Sequence, residues 1–178
     1  MTWTTFHSRG EVLRTVIATA NTRRDGLLPT DVEGVDHAFA DDLDLLGTLQ
    51  LKWHTRLAGQ IERQLVQQPL DLSSAVASAW CAASEELPGV RLVLDRYRAH
   101  PLDDAMAQAM ATATVKERAL LAVMAGQASV GDEARSAPIG AALEERGRAM
   151  HRGALATVGL ETRTQPTLLE RLRSALAA

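Results

Sequence analysis

The stretch LDLLGTLQLKWHTRLAGQIERQL, residues 43–65, decides the fold class of this chain. Its apolar residues follow one another in steps of three and four, the spacing of one face of an α-helix. They are Leu43, Leu46, Leu49, Trp53, Leu57, Ile61 and Leu65. Leu45 and Leu51 lie on the flanks of this face, so we expect the helix to be contacted from more than one side. The stretch predicts a long central helix that begins near residue 35 or 41 and ends near residue 67.

Residues that favour the start or the end of a helix recur along the chain. No segment shows the sustained alternation of apolar and polar residues that is typical of a β-strand. Starts are predicted at Ser8–Glu11 (a capping box), Asp71, Pro88, Pro101, Thr114–Glu117 (a second capping box) and Ser136 with Pro138. We expect an all-α fold, a single-domain helical bundle of about six to eight helices over residues 1–178. Residues 157–166 are predicted to be a linker, and residues 167–178 a short C-terminal helix.

Composition excludes several classes of function. The net charge is −3 and the pI about 5.9, so no overall positive field would attract nucleic acid. A single cysteine, Cys81, allows no internal disulfide and fits a reducing compartment. The N-terminus has no signal-peptide pattern, and no apolar run approaches the ~20 residues that span a bilayer. We therefore expect a cytoplasmic protein that binds neither nucleic acid nor membrane.

Gln50, Trp53 and His54 form the one place where the apolar face of the central helix turns polar. In the simpler interpretation Trp53 is a core anchor and His54 a boundary residue with one satisfied nitrogen. In the functional interpretation, the three residues form one wall of a small-molecule pocket. No second catalytic group can be assigned to His54, so the sequence predicts no catalytic residue.

The spacing of His, Asp, Glu and Cys residues indicates whether the chain could form a metal site. His37, Asp41 and Asp44 would share one helical face and could form half of a site, but acids are also favoured at the start of a helix. Glu-x-x-His, the signature of di-iron bundles, is absent. Cys81 has no base beside it in the sequence and is interpreted as an unreactive thiol. We expect no specific transition metal and no cofactor.

The number and length of the helices resemble the ligand-binding half of TetR-like regulators, which is an all-α, dimerising bundle. The stretch Gly34–Phe39, followed by Leu43, Leu45 and Leu46, resembles the end of their DNA-binding region. The segment is too short for a turn and recognition helix, and the region from Asp25 to Asp44 is acidic where DNA would lie. The resemblance is therefore one of architecture only.

Three hypotheses of function follow. The first is a non-catalytic bundle that associates with itself or with a protein partner. The second is a sensor or carrier with an apolar pocket for a small ligand beside Trp53, and the third is a metal-dependent enzyme. Self-association is supported by the tail, where Leu168, Leu169, Leu172 and Leu176 would form one apolar helical face. We expect this tail to help close a homodimer, and docking of the tail on its own chain is the alternative.

Overall fold

A computed structural model describes the backbone of residues 3–164 and the side chains of residues 9–156. That part of the chain forms seven helices and no strand. The helices are α1 (Trp3–Arg23), α2 (Val35–Ala38), α3 (Asp42–Leu65), α4 (Leu72–Glu86), α5 (Pro88–Ala99), α6 (Asp104–Met124) and α7 (Glu133–Thr164). The predicted all-α bundle of six to eight helices is confirmed.

Helix α3 is the central element, and it contacts α4, α5 and α6. Its apolar face is removed from solvent, with Leu49, Trp53, Leu57 and Ile61 all fully buried. Of the two predicted starts of the long helix, the one near residue 41 agrees with α3, and the one near residue 35 is wrong because Phe39 has an extended backbone with φ −128° and ψ 140°. Asp41 then caps α3 by accepting a hydrogen bond of 2.7 Å from the backbone N–H of Asp44.

Helix α5 is capped by a residue of another helix. It begins at Pro88, as predicted, but its N-cap residue Leu87 has no side chain that could accept a hydrogen bond. The Oδ1 atom of Asn21 in α1 accepts the backbone N–H of Gly89 at 2.9 Å instead. Gly89 also lies so close to the backbone of Ala20 that any Cβ atom there would overlap it. This close approach fixes α1 against the first turn of α5.

Helix α7 packs along α6 and α4. It crosses α6 at Gly140, where an added Cβ atom would overlap the backbone of Arg118. Only glycine permits this distance between the two helix axes. Further along α7, Arg148 and His151 reach the side of α4 and α5, where they line a small cavity.

The predicted capping boxes are both wrong. Helix α1 already begins at Trp3, before Ser8, since no glycine or proline in that stretch stops it. Helix α6 is continuous through Thr114–Glu117 and is capped by Asp103, whose side chain accepts the N–H of Met106 at 2.7 Å. The Thr114 hydroxyl donates back to the carbonyl of Met110, and Glu117 is buried.

The C-terminal boundary also differs from the prediction. Residues 157–166 are predicted to be a linker, but α7 continues to Thr164. The prediction relied on Gly159 and Pro166. A single glycine inside a helix costs only about 1 kcal/mol and does not end it. The predicted helix at 167–178 lies outside the described residues.

The crossing at Gly140 gives a direct test. Gly140→Ala is expected to lower the free energy of unfolding by about 1–3 kcal/mol, because the methyl group must push α6 and α7 apart. Gly59→Ala is the matched control, since no atom lies within 4 Å of a Cβ added in the middle of α3. That control should stabilise the protein by roughly 0.5–1 kcal/mol. Urea unfolding followed by circular dichroism measures both, and equal stabilisation by the two substitutions would contradict the packing described.

Candidate functional site

An open groove of about 730 Å³ runs between the first halves of α3 and α6. Its walls carry small or apolar side chains, with polar side chains between them. The lining residues are Gly47, Gln50, Leu51, His54, Ala105, Gln108, Ala109, Thr112, Ala113 and Lys116. The volume falls within the range of roughly 300–1,000 Å³ that is typical of small-molecule sites.

Two of the three residues singled out in the sequence line this groove. Gln50 and His54 lie on the α3 wall, and the Oε1 atom of Gln50 is buried without a hydrogen-bond donor in the described part of the chain. Trp53 does not line the groove. It is fully buried on the core side of α3, and its indole N–H donates to Glu117 at 3.1 Å. The interpretation of Trp53 as a core anchor with a satisfied N–H is therefore the one that the structure supports.

The other wall of the groove belongs to α6. Ala105, Ala109 and Ala113 follow one another at intervals of four residues and form a surface of methyl groups. Lys116 lies at the end of this row, and it forms no ion pair with any residue between 9 and 156. The groove thus combines an apolar wall, a buried acceptor and an exposed cation.

Behind the groove, the carboxylate of Glu117 is completely buried. Each oxygen accepts an indole N–H at 3.1 Å, Oε1 from Trp80 and Oε2 from Trp53. The guanidinium of Arg91 donates to both oxygens at 3.3 Å. These four residues come from α3, α4, α5 and α6, so one carboxylate joins four helices.

The guanidinium of Arg91 also stacks on the aromatic rings. Its Cζ atom lies 4.7 Å from the ring centroid of Trp53 and 6.0 Å from that of Trp80. The two indoles meet edge to face, with their centroids 5.6 Å apart. A cation held over a desolvated indole contributes about 2 kcal/mol, which helps to offset the loss of water around Arg91. The aromatic rings and the ion pair therefore stabilise each other.

A second cluster of charges, partly buried, extends this arrangement to α7. Arg148 donates to both oxygens of Asp95 at 2.7 Å and to Glu144 at 2.7 Å. Burial disfavours the charged form of Asp95, but the hydrogen bonds from Arg148 and the charge of Arg91 outweigh it and lower the pKa of Asp95. The same balance lowers the pKa of Glu144, through Arg148 and Arg98.

These carboxylates are unsuited to proton transfer at neutral pH. A general acid or base works best when its pKa lies near the operating pH, and Asp95 and Glu144 are both shifted in the opposite direction. Their hydrogen-bonding partners are arginine side chains that stay charged. We conclude that the buried cluster has a structural role and positions the helices that carry the groove.

The sequence contained a signal for this cluster that the periodicity analysis missed. One face of α6 carries a row of four buried residues, which are Met106, Met110, Glu117 and Leu121. A charged residue at a core position of an apolar row must be paired, because an isolated buried charge is too costly. Arg91, which adjoins Val90 in the apolar row of α5, is the complementary signal.

The metal half-site considered at His37, Asp41 and Asp44 is not assembled. His37 is exposed beside Asp36, Asp41 caps α3, and Asp44 pairs with Arg9 at 2.9 Å. A different set of ligand-type atoms converges at Cys81, Glu85 and His151, within 4.8 Å of one another. Sequence spacing could not find this set, because His151 is brought to α4 by the path of α7.

Cys81 is an unreactive thiol in this setting. Burial, followed by the negative charge of Glu85 and a hydrogen bond to it, raises the pKa of the Cys81 thiol to about 11. At neutral pH the thiol is therefore protonated, and a thiol is a poor nucleophile compared with a thiolate.

Comparison with known protein families, with curated proteins and with solved structures finds no match. Within the described residues, no helix is both long enough and apolar enough to cross a membrane. The function is therefore inferred from the geometry of this chain alone.

The buried carboxylate gives the second test. Glu117→Gln keeps the shape of the side chain, but it removes the negative charge and turns an NH2 group toward indole and guanidinium donors. We expect the free energy of unfolding to fall by about 3–5 kcal/mol, as when one partner of a buried ion pair is removed. Glu62→Gln, at an exposed position of α3, is the control and should change stability by less than about 0.5 kcal/mol. A loss below about 1 kcal/mol for Glu117→Gln, measured by urea unfolding, would contradict the role assigned to this carboxylate.

Proposed function

We propose that this protein is a non-catalytic binding protein that holds a small, mainly apolar molecule in the groove between α3 and α6. The observation that carries the proposal is Gln50, which lines this groove and whose Oε1 atom is buried without a donor among residues 9–156. A buried acceptor left without a partner costs about 1–3 kcal/mol. A ligand with an N–H or O–H group would remove that cost.

The remaining lining suggests the chemistry of the ligand. The alanine row of α6 and Leu51, which is 66% exposed, offer apolar surface that is in contact with water. Lys116 would attract a carboxylate or another anionic group at the end of the row. The ligand class is therefore an apolar acid that also carries one hydrogen-bond donor.

Binding is favoured over catalysis by the composition of the lining. Among the described side chains of the lining, His54 is the only imidazole, and none is a carboxylate or a thiol that could act with it. General acid–base and nucleophilic mechanisms both need a second group within hydrogen-bonding distance of the first. The groove provides recognition groups without such a pair.

Filling the groove tests the location of the site. The probe is 1-anilinonaphthalene-8-sulfonate, which combines an apolar ring system, one N–H donor and a sulfonate. Ala109→Phe places a ring in the groove and should weaken probe binding at least about tenfold, equal to about 1.4 kcal/mol. Ala111→Phe is the matched control, because Ala111 is also exposed on α6 but does not line the groove. Fluorescence titration measures both, and equal affinities of the two variants would place the probe elsewhere.

The polar groups are tested with the same probe. Gln50→Leu should weaken binding by roughly 2–10-fold through the lost hydrogen bond, while the free protein becomes more stable because a buried unpaired acceptor is removed. Lys116→Gln should weaken binding in a salt-dependent manner, whereas Lys52→Gln, on the same helix as Gln50 but outside the groove, should not. Unchanged affinity in both Gln50→Leu and Lys116→Gln would contradict the proposed recognition.

Self-association through the C-terminal tail is a second candidate, together with a cytoplasmic location. It is supported by the spacing of the four tail leucines, which would form one apolar face of a helix too short to be stable alone in water. Multi-angle light scattering at micromolar concentration should give the mass of a dimer. Leu172→Asp should shift it to the monomer, and Ser174→Asp, on the opposite side of a helix, should not. A monomeric full-length chain would contradict this candidate.

A further inference from the structure

A second cavity, separate from the α3–α6 groove, lies beside α4, α5 and α7 and has a volume of about 220 Å³. Four arginine side chains line it: Arg24, Arg91, Arg148 and Arg152. Apolar surface is provided by Trp80, Pro88, Leu92 and Leu155, and Asp95 is the only carboxylate that residues 9–156 contribute to the lining. The cavity therefore combines an excess of positive charge with apolar surface.

The positive charge of the lining is not fully neutralised. Asp95 is shared between Arg91 and Arg148 at 2.7 Å, and these two arginines also pair with Glu117 and Glu144, so the uncompensated charge is that of Arg24. Arg152 pairs with Glu145 at the surface, where both side chains are more than half exposed. Arg24 forms no ion pair with any residue of the described chain, and its Nε–H donates only to the carbonyl of Asn21.

Two buried polar atoms of the lining residues lack a partner. Arg91 is only 4% exposed, and its Nε–H donates to no acceptor in the part of the chain that the structure describes. The Nδ1 atom of His151, which lines the same cavity, is also buried and unpartnered. Buried donors are normally satisfied by protein, water or a ligand, so Arg91 needs an acceptor.

We propose that this cavity binds a small organic anion, whose carboxylate or phosphate group is held by Arg24, Arg91 and Arg152. An anionic acceptor supplies the missing partner of the Arg91 Nε–H and neutralises the excess charge. Its apolar part contacts the indole face of Trp80 and the side chains of Leu92 and Leu155. Charge-assisted hydrogen bonds from guanidinium groups are the usual means of recognising carboxylate and phosphate groups.

A cation at the nearby Cys81, Glu85 and His151 cluster is less favoured by the same charges. His151 is shared between that cluster and the cavity, and four guanidinium groups line the cavity. These positive charges repel a metal ion and attract an anion. His151 is therefore assigned to the anion site.

Isothermal titration calorimetry with three probes tests the proposal. Benzoate has a carboxylate and an apolar ring, inorganic phosphate has only the charge, and benzamide is a neutral analogue of benzoate. We expect saturable binding of benzoate, at least about fivefold weaker binding of phosphate (about 1 kcal/mol) and no detectable binding of benzamide. Arg24→Gln and Arg152→Gln should each weaken benzoate at least about fivefold, and Arg152→Lys should keep most of the affinity.

The controls assign benzoate to this cavity. Arg63→Gln removes an exposed arginine elsewhere, and Ala109→Phe fills the α3–α6 groove, so both should leave benzoate affinity unchanged. The result for this cavity is thus independent of the ligand proposed for the groove. Arg24 and Arg152 are exposed, and circular dichroism melting should show that their variants remain folded.

Several outcomes would overturn the proposal. One is that the wild-type protein shows no saturable binding of benzoate at about 10 mM, and another is that it binds benzamide as tightly as benzoate. A third is that Arg63→Gln weakens benzoate binding as much as Arg24→Gln and Arg152→Gln do. Equal affinities for phosphate and benzoate would show a site for inorganic anions and would overturn the assignment of an organic ligand.

Discussion

The carboxylate of Glu117 is the constraint on which the arrangement of the helices depends. It is completely buried, and its charge is stabilised by the indole groups of Trp53 and Trp80 and by the guanidinium groups of Arg91 and Arg98, the last at 3.6 Å. These donors lie on three helices other than its own. A shift of any of these helices by a fraction of a turn would deprive the buried charge of at least one donor. The cluster therefore selects one packing among the many that an alanine- and leucine-rich bundle could adopt.

Selectivity of packing is a different property from stability. A buried ion pair often contributes less than well-packed apolar side chains of the same volume, because both charges lose their water. The whole sequence contains only six Phe, Trp and Tyr residues. Few large side chains are therefore present whose shape could define how the helices fit together. We infer that the directional hydrogen bonds of the cluster provide this definition. The cluster also determines where the two surface sites lie, since Trp53 fixes the α3 wall of the groove and Trp80 and Arg91 line the anion cavity.

Much of the fold could be predicted from sequence because it is encoded locally. The apolar row from Leu49 to Ile61 defines the buried face of α3, and Asp71 and Pro88 mark helix starts through the chemistry of their own side chains. The prediction of a helix start at Thr114–Glu117 was wrong. The residues match a local capping pattern, but contacts with other helices keep this stretch inside α6. Helix α6 passes through this stretch because Glu117 is held by groups distant in the chain.

The candidate sites were less predictable for a related reason. Helical geometry correctly places Gln50 and His54 on one edge of α3, but it does not show that the alanine row of α6 lies opposite them. The anion cavity combines side chains from near the end of α1 with others from α4, α5 and α7, and no spacing in the sequence connects them. Sites of this kind depend on the tertiary arrangement and become visible only when the helices are in place.

Hydrogen exchange at the two indole N–H groups tests the central role of Glu117 most directly. If the carboxylate holds the four helices together, the Nε1–H groups of Trp53 and Trp80 should exchange with solvent only when the whole protein unfolds. Their free energies of opening, measured by NMR in the native protein, should then equal the global free energy of unfolding. Exchange of either indole through a local opening several kcal/mol lower than the global value would contradict this account.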